Sequence, residues 1–310
     1  MAFIREFGAY LPERVVGNRE MAALVGCDEE WIRTVSGIEE RRFAAAEESA
    51  ADMAARAAGD CLARARVTPS SLGMLLVSSG SSERQFPGPA ASVAHKLGLD
   101  AIPAIDIPMA SAGSLFAMSL ASRLCGSLGP ILAIGTEKMS AVVMREPMEQ
   151  GVAILFGDGA GACLISPDAG PARIVDSALY SDGQFADDLK LEFGKPLAMN
   201  GRSVIMQASR KVPRAIGDLL VKNGVAAADV DAFLMHQANQ NLIDRVAQSL
   251  GVASERFYSN IRQYGNTSSA SMLIAASEWK LAHGFQSGKP VCFAGFGAGF
   301  HWGALLAIGL

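Results

Sequence analysis

The chain has 310 residues, half of them apolar and 19% charged, enough to bury a large core in one or two domains. Its net charge of −4 leaves no basic footprint for nucleic acid or an anionic membrane surface. Five scattered cysteines (Cys27, Cys61, Cys125, Cys163 and Cys292), with no Cys-x-x-Cys pair, argue against a disulfide framework or a zinc site. The opening residues, Met1-Ala-Phe-Ile-Arg-Glu-Phe7, bring charge too early for a secretory signal, and no apolar run reaches membrane-spanning length. A soluble protein of a reducing cytoplasm is expected.

In chain order, residues 9–45 are polar and turn-rich, with one short helix expected over 28–35, capped by Asp28. An Ala-rich amphipathic helix is expected over 49–65. The apolar run Leu72–Ser78 is continuous and not alternating, so it reads as a buried strand. A helix over about 89–97 follows. The next stretch, Ala104-Ile-Asp-Ile-Pro-Met-Ala-Ser-Ala-Gly-Ser-Leu-Phe-Ala-Met118, opens as a strand, passes through small residues and resumes as an apolar helix. Ser111 lies at that passage. A helix start favours negative charge and offers free N–H groups, so a nucleophile there has an oxyanion site beside it. The same Ala, Ser and Gly also suit a merely tight junction. Pro130–Gly135 and Gly161–Ile165 read as further strands, and 168–202 as a linker with partial structure.

The chain resembles itself. Ala58-Gly-Asp-Cys-Leu-Ala-Arg-Ala-Arg-Val67 aligns without gaps on Ile216-Gly-Asp-Leu-Leu-Val-Lys-Asn-Gly-Val225, at a constant offset of 158. In that register Leu72-Gly-Met-Leu-Leu-Val-Ser78 falls on Val230-Asp-Ala-Phe-Leu-Met-His236. Each copy reads helix, short loop, buried strand, so two similar α/β halves are expected, 1–167 and 168–310. The register puts His236, one of four histidines, at a strand end in Met235-His-Gln-Ala-Asn239. Strand ends hold catalytic groups rigidly, although a merely hydrogen-bonded histidine reads the same. Asn266, in Tyr264-Gly-Asn-Thr-Ser268, is either a turn residue or an amide aimed at a carbonyl oxygen. Phe293-Ala-Gly-Phe-Gly-Ala-Gly-Phe-His-Trp-Gly303 reads as a Gly-rich loop that lets backbone approach a substrate. No helix or acidic residue follows it to make a dinucleotide fingerprint.

Together these pieces resemble the β-ketoacyl-acyl carrier protein synthase III family of the thiolase superfamily. The matching elements run the length of the chain: Tyr10-Leu-Pro-Glu-Arg14, Asp28-Glu-Glu-Trp-Ile32, Gly37-Ile-Glu-Glu-Arg41, Phe86-Pro87, Phe156-Gly-Asp-Gly-Ala-Gly-Ala162, His236-Gln-Ala-Asn239, Tyr264-Gly-Asn-Thr-Ser268 and Gly297-Ala-Gly-Phe-His-Trp-Gly303. The resemblance implies a duplicated αβαβα five-layer fold and a homodimer. It implies no permanently bound cofactor, with acyl-coenzyme A or an acyl carrier protein as substrate and partner. The family's Cys-His-Asn set falls on Ser111, His236 and Asn266, so the nucleophilic Cys is replaced by Ser. A thiol beside a helix start and a histidine ionises near neutral pH; a hydroxyl does not, and His236 is expected to serve it as general base.

Other departures concern substrate handling. Trp31, which in the family stacks on the adenine of coenzyme A, is retained. The family's basic docking positions fall on Val35, Gln150, Met206, Asn241 and Gln248, with Arg33, Arg210, Lys211 and Arg245 nearby. Asn239 is expected among the substrate-binding residues. Phe86 is expected to shape the acyl pocket from a loop that in the family lies at the dimer interface. The oxyanion N–H groups are expected on Ser111 and on Ala298, which stands for a glycine, and His301 replaces a small polar residue. The expectation is an acyltransferase that forms acyl-Ser111 and passes the acyl group to a malonyl-type donor or a small-molecule acceptor, in secondary metabolism. Alternatives are a thioesterase, a catalytically silent partner subunit, or an engineered Cys→Ser form of an ordinary cysteine synthase.

Overall fold

The computed structural model describes residues 1–310. It opens with strands β1 (Ala2–Tyr10) and β2 (Arg14–Gly17), helices α1 (Asn18–Val25) and α2 (Glu29–Ser36), and strand β3 (Glu40–Phe43). The Asp28 cap on α2 is as expected: its carboxylate accepts the Trp31 N–H at 2.8 Å. The rest of 9–45 is more regular than a turn-rich segment. Helix α1 and the small antiparallel β2–β3 sheet are too short to impose a readable hydrophobic period.

Next come α3 (Ala50–Ala65), β4 (Met74–Ser78), α4 (Pro89–Lys96), β5 (Ala104–Ile107), α5 (Gly113–Leu128), β6 (Ile131–Lys138), the short helices α6 (Ser140–Val143) and α7 (Gln150–Ala153), and β7 (Asp158–Ser166). Strand β8 (Ala172–Ser181) then lies where a linker was expected, paired with β1 along one edge. Its residues are mostly half-buried and include Asp176 and Ser177, whose hydroxyl meets that of Ser119 on α5 at 2.7 Å. Such mixed burial blurs any alternation in the sequence. The two-residue strands β9 (Leu189–Lys190) and β10 (Ala198–Met199) pair with each other and lead to α8 (Gly201–Lys222). The chain ends with β11 (Ala232–Met235), α9 (Gln240–Leu250), β12 (Phe257–Tyr258), α10 (Ile261–Tyr264), α11 (Ser271–Ala282), β13 (Pro290–Gly297) and β14 (His301–Gly309). The expected Gly-rich loop is therefore mostly strand; only residues 298–300 turn.

Ten strands form one mixed sheet in the order β12-β11-β13-β14-β8-β1-β7-β6-β4-β5. Outward from the β8–β1 junction, both wings repeat one plan: two antiparallel pairings, then two parallel ones. Strands β4 and β11 hold equivalent places, as the offset of 158 requires. Three apolar cores give five layers. Helices α5 and α11 pack between the wings with strands of both. Helices α3 and α4 cover one outer face, and α8 and α9 the other. This is the αβαβα arrangement, and the two middle helices both start at one end of the sheet, where the site lies.

Candidate active site

The turn between β5 and α5 carries Ser111 at φ 62°, a left-handed backbone for a residue with a side chain. That costs about 1–3 kcal/mol and persists only where the surroundings enforce it. The enforcing neighbour is the end of β13. A Cβ on Gly297 would lie 2.2 Å from the Ala110 carbonyl oxygen and 3.0 Å from Ser111 Cβ, so only glycine lets this strand reach the turn. Ser111 is 7% exposed and opens on a cavity of about 70 Å³.

His236 follows β11 directly, and its N–H donates to the Ala294 carbonyl at 2.9 Å. The ring is buried, edge-on to Phe296 at 5.2 Å between centroids. Its Nδ1 is 2.7 Å from Ser271 Oγ, which also accepts the Gln237 N–H at 3.1 Å. A hydroxyl oxygen keeps a second lone pair, so Ser271 either donates its hydrogen to Nδ1, which leaves the ring proton on Nε2, or accepts Nδ1–H, which leaves Nε2 a lone pair. Burial holds the His236 pKa down at about 3, with a backbone contact to Ser268 opposing it. The ring is thus neutral at working pH. Its low basicity makes it a weak general base for Ser111.

Asn266 bridges to the end of the β6–β7 region, its N–H on the Leu155 carbonyl at 2.9 Å and its carbonyl accepting the Gly157 N–H at 3.1 Å. Its side-chain oxygen accepts the Ser268 N–H at 2.8 Å. An N–H can only donate, so Oδ1 is fixed inward and the amide N–H₂ is left for the cavity. The neutral His236 ring and the Asn266 amide therefore share one space that Ser111 also lines. The remaining walls are largely apolar, among them Phe156, Met199, Val204, Leu242 and Phe296. None of the five cysteines lines this cavity, and burial pushes the Cys61, Cys163 and Cys292 thiols up.

The expected oxyanion pair is split. The Ser111 N–H is committed to Ser268 Oγ at 3.0 Å, whereas the Ala298 N–H, in the turn after Gly297, makes no hydrogen bond within the chain. Asn239 lines the cavity, but both ends of its amide are occupied: Oδ1 caps α9 on the Asn241 N–H at 2.9 Å and Nδ2 donates to the Val35 carbonyl at 2.8 Å. It ties α2 to α9, with one Nδ2 hydrogen and one Oδ1 lone pair left over. Gln150 likewise spends Nε2 on the Gly26 carbonyl at 2.9 Å. Trp31 and Met206 are partly exposed on α2 and α8 outside the cavity, although Val204 and Ile205 beside Met206 line it. Phe86 is 84% exposed and lies off the cavity of its own chain. His301 lies off the cavity, its Nδ1 at 2.7 Å from Ser181 Oγ.

Two residues at the site were not anticipated. Ser268, left-handed at φ 48°, sits against Ser111 with the hydroxyls 3.3 Å apart. Behind it, Glu137 near the end of β6 is fully buried and receives the Ser268 hydroxyl at 2.9 Å. The only signal in the sequence was a lone carboxylate closing an apolar strand, in Ile131-Leu-Ala-Ile-Gly-Thr-Glu-Lys138.

Comparison with known proteins bears on the family and the fold. Residues 105–183 match the family model for 3-oxoacyl-[acyl-carrier-protein] synthase III, and residues 220–307 match the model for its C-terminal part. The chain is 34% identical to the β-ketoacyl-[acyl-carrier-protein] synthase III of Oleidesulfovibrio alaskensis, over 98% of each chain. Among solved structures it resembles the 3-oxoacyl-[acyl-carrier-protein] synthase III of Aquifex aeolicus, with a TM-score of 0.95 and 31% identity over 99% of this chain and 100% of that one. It also resembles the priming β-ketosynthase of the R1128 polyketide pathway, with a TM-score of 0.92 and 29% identity over 100% of this chain and 96% of that one. A relative so similar over nearly all of both chains settles the family: this chain belongs to the β-ketoacyl-acyl carrier protein synthase III acyltransferases.

Proposed function

We propose that the chain takes an acyl group from a coenzyme A or carrier-protein thioester onto Ser111 and passes it to a malonyl-type donor in a decarboxylative condensation. The observation that carries this is the convergence of Ser111, the neutral His236 ring and the Asn266 N–H₂ on one apolar cavity. In the first half-reaction Ser111 Oγ attacks the thioester carbonyl, with the free Ala298 N–H beside the turn as oxyanion donor. In the second, His236 and Asn266 hold the carbonyl oxygen of the malonyl thioester. As carbon dioxide leaves, negative charge develops on that oxygen, and two preorganised donors in a water-poor cavity stabilise it. The resulting carbanion attacks the acyl-Ser111 carbonyl and releases the serine. No permanently bound cofactor takes part.

The rest of the reading follows the family. The protein acts as a cytoplasmic homodimer built from halves 1–167 and 168–310, and acyl-coenzyme A approaches past Trp31. The test is intact-protein mass after incubation with a panel of acyl-coenzyme A thioesters, compared with Ser111→Ala. An acyl mass increase lost in the Ala variant establishes Ser111 as nucleophile and names the donor. Turnover to free acid without a product of condensation moves the assignment to a thioesterase. No adduct and no turnover overturns the acyl-serine reading; Ser111→Cys then separates a silent subunit, still inert, from a cysteine synthase carrying a substituted nucleophile, now active.

A further inference from the structure

We propose that Ser268 and Glu137 form the proton relay that serves Ser111: Ser268 touches the reacting oxygen and takes its proton, and Glu137 orients Ser268 and stores the proton behind it. This rests on the acyl-Ser111 reading above, with His236 in the Nε2–H form that holds the malonyl carbonyl oxygen.

The direction of each hydrogen bond fixes the relay. Glu137 Oε2 accepts the Gly80 N–H at 3.0 Å, the Ser81 hydroxyl at 2.6 Å and the Ser79 hydroxyl at 3.4 Å. Its Oε1 accepts the Ser269 N–H at 3.2 Å and the Ser268 hydroxyl at 2.9 Å. Each carboxylate oxygen accepts one backbone N–H, which cannot reverse, and with the hydroxyls five donors converge on the group, an arrangement that favours the ionised form. The single Ser268 hydrogen is thereby committed to Glu137. Ser268 Oγ is left with two lone pairs, and Ser111 supplies a donor for each: its N–H at 3.0 Å and its hydroxyl at 3.3 Å. The Ser111 proton thus points at Ser268 and away from the cavity, leaving a lone pair of Oγ facing the substrate.

A structural carboxylate buried this completely normally has a cationic partner. Glu137 has none: no Lys or Arg acts on it, and the adjacent Lys138 turns its ammonium to the carbonyls of Ala45, Ala46 and Glu48. Burial also pushes the Glu137 carboxyl up, against the five hydrogen bonds, so it accepts a proton more readily than an exposed glutamate. An unpaired buried carboxylate one hydroxyl away from a nucleophile is placed for proton transfer.

The step balances. The bond from Ser111 Oγ to the acyl carbon forms while its proton moves to Ser268 Oγ and the Ser268 proton moves to Glu137 Oε1. The C–S bond breaks, and its electron pair leaves with sulfur as a thiolate that takes a proton from solvent. The enzyme is then acyl-Ser111 with a neutral Glu137. When the carbanion attacks, the acyl–oxygen bond breaks and the departing Ser111 oxygen recovers the proton through Ser268, restoring the carboxylate.

The experiment is the rate of acyl adduct formation, followed by intact mass, in chains with Ser111 or Ser111→Cys, each with and without Glu137→Gln. With Ser111, Glu137→Gln is expected to slow acylation by about 10²–10⁴-fold, the usual reach of general base catalysis. With Ser111→Cys the sign reverses. A thiol acts as its thiolate, and removing a buried negative charge beside it raises acylation at least about threefold. A merely structural Glu137 slows both chains alike, and that result overturns the relay, as does a Ser111 rate within threefold of the unaltered chain. Should Glu137→Gln fail to fold, Ser268→Ala takes its place with the same expectation for Ser111. If the unaltered chain forms no adduct at all, the acyl-serine reading falls and the relay with it; an adduct that ignores Glu137 and Ser268 removes the relay alone.

Discussion

Gly135 is the least conspicuous residue on which the site depends, and Gly135→Ala tests whether the sheet sets the geometry of the chemistry. Gly135 lies in β6, where a Cβ would stand 2.2 Å from the Ser269 carbonyl oxygen, 2.7 Å from its carbon and 3.1 Å from the Ala270 nitrogen. The backbone there is ordinary strand, so alanine adds a steric demand and no strain of its own. Restoring van der Waals distance requires the 268–270 turn to retreat by about 1 Å, since overlap with backbone is not relieved by rotating a side chain. That turn carries Ser268 against Ser111, and the next residue, Ser271, holds the His236 ring through Nδ1. A displacement of this size costs on the order of 10²-fold in rate, and overpacking costs about 1–3 kcal/mol, or about 2–4 °C in Tm. The assay pairs a melting curve with the rate of acyl adduct formation. Gly59→Ala, in the interior of α3 with nothing within 4 Å of the added Cβ, is the control, with about 0.5–1 kcal/mol of added stability and no loss of rate. Acylation by Gly135→Ala within twofold of the unaltered chain refutes the reasoning.

The two half-reactions separate at Asn266. Asn266→Asp exchanges the free donor for a carboxylate, so malonyl decarboxylation is expected to fall about 10²–10³-fold while Ser111 acylation falls far less; equal losses, read by assaying each half-reaction, count against the donor role. Acid stability reports His236. Its ring protonates near 6.5 when unfolded but only at about 3 when folded, so the unfolded chain binds more protons between these values. Stability that is fully present above pH 6.5 is then lost by about 1.4 kcal/mol for each unit of pH below it. Urea unfolding at pH 7, 6 and 5, compared with His236→Gln, should show a shallower fall in the variant, and parallel falls refute the burial argument.

How far the sequence reached depends on the length over which each signal acts. The Asp28 cap and the Ala-rich helix α3 are local patterns and were readable. The duplication was readable because the offset of 158 carries helix, loop and strand together, and both wings of the sheet repeat one strand order. Strand β8 was missed because it joins the two wings and its half-buried residues follow no clean alternation. At the site, Ser111, His236 and Asn266 were legible as small or polar residues where apolar runs end. Trp31, Phe86, Gln150 and Met206 came from the family resemblance, which does not say which atoms are already bonded within the chain. Glu137 went unread because the apolar run stops at Gly135, and a carboxylate just beyond a run looks like a strand meeting solvent. Only the tertiary packing of Ser81, Ser268 and Ser269 over it reverses that reading.

The division of labour follows from counting protons. A thiolate nucleophile arrives without a proton, so a cavity lined by two neutral donors suffices for it. A serine brings a proton that donors in the proposed roles of the His236 Nε2–H and the Asn266 N–H₂ do not take. The acceptor has to lie on the other side of the nucleophile, away from the developing charge of the malonyl half-reaction, where a carboxylate in the cavity would repel the enolate. Glu137 satisfies both demands: it sits behind Ser268, fully buried, with every contact on its oxygens a donor. The left-handed backbones of Ser111 and Ser268 are what turn the two hydroxyls toward each other, and the bare Gly135 and Gly297 are what let the two turns meet.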